Sequence, residues 1–155
     1  MTVHGSIEFV EHERPHRPSG WRPFVDDSRF DDRWWVPLML HPEHLPLLSA
    51  FVGGAEVARI RLDRHARLDL HHGVPVPGRP PLEIDLIEVR MDLRRQRLGE
   101  RVVVALAEYV AQWRLTARST PQATRFWGEH LKWDRYEPAH NPAQGPLFMA
   151  PLRWP

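Results

Sequence analysis

LEIDLIEVRMDLRRQRLGERVVVALAEYVAQW, residues 82–113, changes its hydrophobic period part-way along. From 82 to 89 the period is two: Leu82, Ile84 and Leu86 share one face, while Glu83, Asp85, Ile87 and Val89 share the other, as in a sheet strand. Two carboxylates therefore lie on one face, and Glu88 points the opposite way. After Asp92 the spacing becomes three and four, with Leu98, Val102, Leu106, Tyr109, Val110 and Trp113 forming one buried stripe of a helix that starts near Arg95.

Arg90, Arg94, Arg95, Arg97 and Arg101 crowd the strand-to-helix turn. The start of a helix carries positive charge and unpaired N–H groups, so arginines there are of the wrong sign unless an anion sits among them. A phosphate-bearing ligand is one account of that crowding. The other is a solvated basic turn contacting acidic groups elsewhere.

Arg94-Arg95-Gln96-Arg97-Leu98-Gly99, following a strand and opening a helix, resembles the acetyl-CoA pyrophosphate loop of the GNAT N-acetyltransferase superfamily, whose pattern is Q/R-x-x-G-x-G/A. Arg94 matches the first position and Gly99 the last, and Arg97 stands where the family has glycine. Arg97 fits such a loop if its φ is negative and its side chain turns outward.

The tail extends the resemblance. Thr120, Ala123, Phe126, Trp127 and Trp133 fall near the places of the family's N-x-x-A-x-x-F-Y-E-K-x-G-F segment, with one extra residue before Trp133. The closing FMAPL is similar to the family's last strand, and the likeness covers residues 47–153.

The resemblance implies an α/β fold: a single GNAT-like domain over residues 1–155, with a central mixed, mostly antiparallel sheet flanked by helices. Residues 1–46 would be an irregular acceptor-side segment and 47–153 the core. It also implies acetyl-CoA as co-substrate, without a metal, and an amine acceptor, either small molecule or protein. The donor site would comprise Arg94, Arg95, Gln96, Arg97, Gly99 and Glu100 around the phosphates. The backbone of Ile87, Glu88 and Val89 would lie along the pantetheine arm, with Phe126 and Trp127 from the tail.

Glu83 lies eleven residues before Arg94, the spacing at which the histone-acetyltransferase branch places its general base. It is the first candidate, with Asp85 second and Glu88 third. The bland alternative for Glu83 is a strand-end surface carboxylate. Many members use a tyrosine where this chain has Trp127, and indole supplies no proton, which leaves water, Tyr136 or Ser119 as the acid, or a thiolate that leaves unprotonated. A non-catalytic module binding a CoA compound or a protein partner is the competing reading. Homodimers are common in the resembling family.

The rest of the chain bounds these readings. The 155 residues suit one domain with a proper core. A net charge of +1 gives no global reason to expect nucleic acid or a membrane surface. No cysteine is present, which removes thiolate zinc sites and a cysteine nucleophile. The N-terminus has no leader pattern and no apolar run approaches spanning length, so the expectation is a cytoplasmic chain.

Residues 6–10 read as a first strand. Between 12 and 46, prolines interrupt any long helix, and Asp26, Asp27, Asp31 and Asp32 lie beside Trp21, Phe24, Phe30, Trp34 and Trp35. That mixture suits a pocket for a cationic amine, or aromatics plugging an irregular core. Residues 47–62 read as a hairpin closed by Gly53-Gly54, with Ala58, Ile60 and Leu62 in the core and Val57, Arg59 and Arg61 on a wet face. Short strands are expected at 66–70, 115–118, 133–136 and 147–152, and a short helix at 123–131. His41, His44, His71 and His72 are the histidines a metal site would draw on.

Overall fold

The computed structural model describes residues 3–17, 20–35 and 43–155. Its strands are β1 (Glu8–His12), β2 (Leu47–Val52), β3 (Ala55–Asp63), β4 (Pro81–Val89), β5 (Arg114–Arg118), β6 (Asp134–Tyr136) and β7 (Leu147–Met149). The helices are α1 (Asp32–Trp35) and α2 (Leu98–Tyr109). The strands form one seven-stranded sheet in the order β1-β2-β3-β4-β5-β7-β6. β4 and β5 run parallel, whereas β1–β2, β2–β3, β5–β7 and β6–β7 are antiparallel. This is the mixed, mostly antiparallel α/β sheet expected from the sequence. Among the described residues no helix is long and apolar enough to cross a membrane.

The chain divides into two compact units, residues 1–62 with 86–103 and residues 63–85 with 104–155. In the first, β2 and β3 form the expected hairpin, with Gly53 and Gly54 at φ 58° and 79°. Those are the left-handed values that a two-residue turn matching strand twist requires. β3 departs from expectation because both its faces are covered: Val57 and Arg59 are as buried as Ala58 and Ile60. Arg59 lies against the faces of Phe24 and Phe30, at 4.7 and 4.0 Å from the ring centroids, and donates to Glu56 and to the Val25 carbonyl. The cation is tolerated because acceptors and aromatic faces replace its water. Phe24, Phe30, Trp35 and Leu47 make a small core with Trp21 and Leu86 packed on it. Trp21, Phe24, Phe30 and Trp35 are thus core plugs, whereas Trp34 is 43% exposed.

In the second unit the start of β4 pairs with β5, Leu82 opposite Leu115 and Glu83 opposite Thr116. β5 in turn pairs with β7, and β7 with β6. Residues 66–70 form turns and loop instead of the expected strand, and His71 makes an isolated bridge to Pro138. The helix expected at 123–131 is a 3₁₀ turn, Pro121–Ala123, followed by a single π turn, Phe126–His130. The last strand is shorter than expected, ending at Met149. On α2 the buried stripe is Leu98, Val102, Val103, Leu106 and, just beyond it, Val110; Tyr109 is 49% exposed. The helix ends at Tyr109, so the stripe does not continue as a regular helix to Trp113.

Candidate active site

In the first unit, β4 leads through a 3₁₀ turn, Met91–Leu93, into the arginine loop. Arg94 is extended at φ −67° and ψ 160°, whereas Arg95 and Arg97 are left-handed, at φ 65° and 57°. Left-handed residues cannot continue an α-helix, so α2 begins at Leu98 and not near Arg95. The negative φ that would let Arg97 fit such a loop is not found, since Arg97 has φ 57°. The chain keeps a glycine-like backbone there with an arginine in it, and non-glycine residues in that region cost on the order of 1–3 kcal/mol each. Strain of this kind persists where surrounding structure holds it, as at ligand clamps.

Most of the arginines already have acceptors. Arg90 donates to Asp92 and to the Glu56 carbonyl. Arg97 pairs with Glu100 at 3.0 Å, and Arg101 reaches the carbonyls of Val3 and Gly5. Arg94 donates Nε–H to the Val89 carbonyl at 3.0 Å and Nη2–H to Glu88 at 3.1 Å. The exposed Arg95 guanidinium has no partner among the described residues. Beside it the Gln96 Oε1 is buried without a donor. The first intrahelical bond of this turn runs from Arg101 N–H to the Arg97 carbonyl, at 3.3 Å. The N–H groups of Leu98, Gly99 and Glu100 therefore stand at the positive end of α2. An unpaired cation, helix-start amides at Leu98 and Gly99 and an orphaned acceptor suit a phosphate ester that carries amide or hydroxyl donors.

Glu88, on the same strand, is not a free base. Its side chain is 1% exposed. Oε1 accepts from the Asp31 N–H at 2.9 Å and from Arg94, and Oε2 accepts from the Trp35 indole N–H at 2.6 Å. The carboxylates at 26–31 are likewise committed: Asp26 to Arg22, Asp27 to Arg29 and Asp31 to Arg33. The Arg29 guanidinium brings the Asp27 carboxyl down to about 2.

In the second unit, Glu83 is 3% exposed and its Oε1 accepts from Arg118 Nε–H in an ion pair at 2.8 Å. Burial pushes its carboxyl up, against the opposing pull of Arg118; Asp85 and Asp63 push it up further. Glu83 is thus a desolvated strand-face carboxylate, which a strand-end surface group would not be. Asp85 is half-buried on the same strand. Thr116, opposite Glu83 in the parallel register, is fully buried with its Oγ1 unpartnered. Residues paired in register share a face, so Glu83, Thr116 and Arg118 lie together. The β4–β5 pairing ends at Glu83 and Thr116, although β4 runs on to Val89 and β5 to Arg118.

Arg118 and Thr116 were not singled out from the sequence. The signal was present in the alternation Arg114, Thr116, Arg118 along β5, but only the parallel register sets it against Glu83.

The tail residues lie in the second unit. Trp127 is 4% exposed, edge-on to Phe126 at 4.9 Å and tilted on Trp133 at 5.1 Å. Ser119 donates to the Thr120 carbonyl, and burial raises the Tyr136 hydroxyl above its ordinary value. Neither arrangement favours proton release. His41 falls outside the described residues, His71 Nε2 is 2.9 Å from the Gly145 carbonyl, and among the described residues no metal-holding group of three or more ligands occurs.

Neither a protein-family model nor a curated protein matches the sequence. Solved structures do match it in fold. The aminoglycoside N-acetyltransferase AAC(6')-Iy in complex with CoA aligns with a TM-score of 0.54 and 15% identity, over 89% of this chain and 94% of that one. A structure described as a bacterial toxin aligns at 0.61 and 10% identity over 95% and 92%. AtaT complexed with acetyl-methionyl-tRNAfMet aligns at 0.52 and 12% over 94% and 95%. The architecture is therefore that of an α/β acyltransferase fold with a mixed sheet splitting after the first residues of its parallel pair. It is the GNAT N-acetyltransferase fold.

Proposed function

We propose that this chain is an acetyl-CoA-dependent N-acetyltransferase that moves an acetyl group to a primary amine by direct attack in a ternary complex. The observation that carries this reading is the loop 94–99, where the unpartnered Arg95 guanidinium and the amides of Leu98 and Gly99 open α2 directly after the turn that follows β4. The loop offers the donor's pyrophosphate the amides of Leu98, Gly99 and Glu100, the open guanidinium of Arg95 and the remaining donors of Arg94. Ile87 and Val89, past the end of the β4–β5 pairing, offer strand backbone to the pantetheine arm.

Glu83 is the base in this account. It takes a proton from the acceptor ammonium, and the freed amine attacks the acetyl carbonyl. The C–N bond forms as the C–S bond breaks; the nitrogen gives its second proton to water, and the sulfur leaves as thiolate or takes a proton from water. Trp127 has no acidic proton and is buried, so it packs rather than protonates. Asp85 keeps its place as the second carboxylate of the face, and Glu88 drops out as a base because donors fill its oxygens.

The acceptor is an amine of open identity. Aminoglycosides and an aminoacyl-tRNA, which go with two of the structures of similar fold, are among the molecules to screen. The test is release of CoA thiol from acetyl-CoA against a panel of amines, with Glu83→Gln as control. Turnover on one amine class that falls at least about 100-fold in the variant supports the reading. Tight acetyl-CoA binding with no turnover on any amine would favour the non-catalytic module.

A further inference from the structure

Glu88 lies where two parts of the first unit meet on one carboxylate. Its buried charge is answered by the N–H of Asp31, the indole N–H of Trp35 and the guanidinium of Arg94. Only the last of these is a cation, and a buried carboxylate needs its compensating donors held in place. Asp31 and Trp35 bracket α1 in the acceptor-side segment, whereas Arg94 opens the donor loop. A second tie runs beside them, from the Met91 N–H to the Arg29 carbonyl at 3.0 Å.

We propose that Glu88 is a positioning residue that couples the acyl-donor loop to residues 31–35, so that filling the loop orders the acceptor-side segment. This rests on the acetyl-CoA reading of the loop. Arg94 can serve both partners at once. A guanidinium has five N–H donors, and Arg94 uses Nε–H on Val89 and one Nη2–H on Glu88. Its side chain is 48% exposed, so the remaining donors are open to an anion. A phosphate there pins a half-exposed side chain. Pinning Arg94 fixes Glu88, and Glu88 fixes the two N–H groups it accepts from Asp31 and Trp35. By linkage, an acceptor that orders residues 31–35 tightens the donor by the same factor.

The experiment follows hydrogen exchange of the Asp31 amide and the Trp35 indole N–H by NMR, with and without acetyl-CoA, in the wild-type chain and in Glu88→Gln. Calorimetry in parallel reads donor binding. In the wild type, acetyl-CoA slows both protons on the order of tenfold. In Glu88→Gln one end of the side chain becomes a donor, the network loses a partner, and the slowing shrinks to about twofold or less while acetyl-CoA still binds through Arg95 and the amides of α2. Should Glu88→Gln fail to fold, Trp35→Phe keeps the ring and deletes one donor, and the Asp31 response must likewise fall. Acetyl-CoA binding that leaves both protons unchanged overturns the coupling alone, as does full slowing in the variants. Absence of acetyl-CoA binding overturns the donor reading and the coupling with it.

Discussion

Replacing Arg97 by glycine should stabilise the chain slightly and leave donor binding intact. Arg97 is at φ 57°, and relieving the clash of its Cβ with the carbonyl in that region gains about 1–2 kcal/mol. The substitution loses the ion pair with Glu100, but the Arg97 side chain is 80% exposed, so that loss is about 0.2–1 kcal/mol. Glycine also loosens the unfolded chain, at about 0.4–1 kcal/mol. Together these nearly cancel, leaving a gain of about 0.2 kcal/mol. Arg97→Val makes the same charge deletion but puts a β-branched residue in the left-handed region, where it is a true outlier. The valine variant should therefore lie at least about 2 kcal/mol below the glycine variant. In a chain of this length that is roughly 4–8 °C in Tm. Thermal unfolding followed by circular dichroism, with calorimetric titration of acetyl-CoA on each variant, reads both quantities. Equal stability of the two variants, or loss of acetyl-CoA binding in Arg97→Gly, would refute a left-handed backbone at 97 as the element that shapes the loop.

The remaining predictions concern the second unit. For Glu83 the folded carboxyl is raised above its ordinary value by burial, so its contribution to stability is full below about 4.5 and is lost as pH rises through the folded value. Glu83→Gln should lack that decline in denaturation curves taken across the window, and should flatten the rise of kcat/KM with pH. Arg118→Gln removes the cation that opposes burial, so the rising limb of kcat/KM should move to higher pH, with a loss of about 1–3 kcal/mol in urea unfolding at pH 7. An unmoved limb would separate Arg118 from Glu83. Gly145→Ala puts a Cβ 2.3 Å from the Ser119 carbonyl oxygen at φ 68°, and should cost at least about 2 kcal/mol in the same assay. A cost near zero would mean that the backbone at 145 shifts freely.

Where the fold was legible, the reason was local. Gly53-Gly54 between apolar runs specified the hairpin because few other residues accept that turn. The change of period between 82 and 113 specified strand, turn and helix in one stretch. What could not be read depends on residues distant in sequence. Arg59 looked solvent-facing by alternation, and is buried because Phe24 and Phe30 fold over it. Tyr109 matched the spacing of the buried stripe, and Val103 took that place instead because the buried arc of α2 is rotated toward it. The strand expected at 66–70 is absent among the described residues, which fits its breaks at Arg67 and Asp69, paired to each other through solvent-exposed side chains.

The site divides in the same manner. The arginine loop was visible as charge and motif, but its left-handed residues were not, since composition carries no φ. Glu83 was visible by spacing, whereas its pairing with Arg118 required the parallel register of β4 and β5. Glu88 was read by its direction on the strand, and its three donors come from Asp31, Trp35 and Arg94.

Calorimetric titration of the chain with acetyl-CoA, beside Arg95→Ala, tests the central claim most directly. Arg95 is the loop cation with no partner among the described residues, so its removal deletes charge without breaking an internal contact. The account predicts binding in the micromolar range that weakens roughly tenfold in the variant, as loss of one charge-assisted contact implies. No heat with the wild-type chain, or equal affinity in Arg95→Ala, would contradict it.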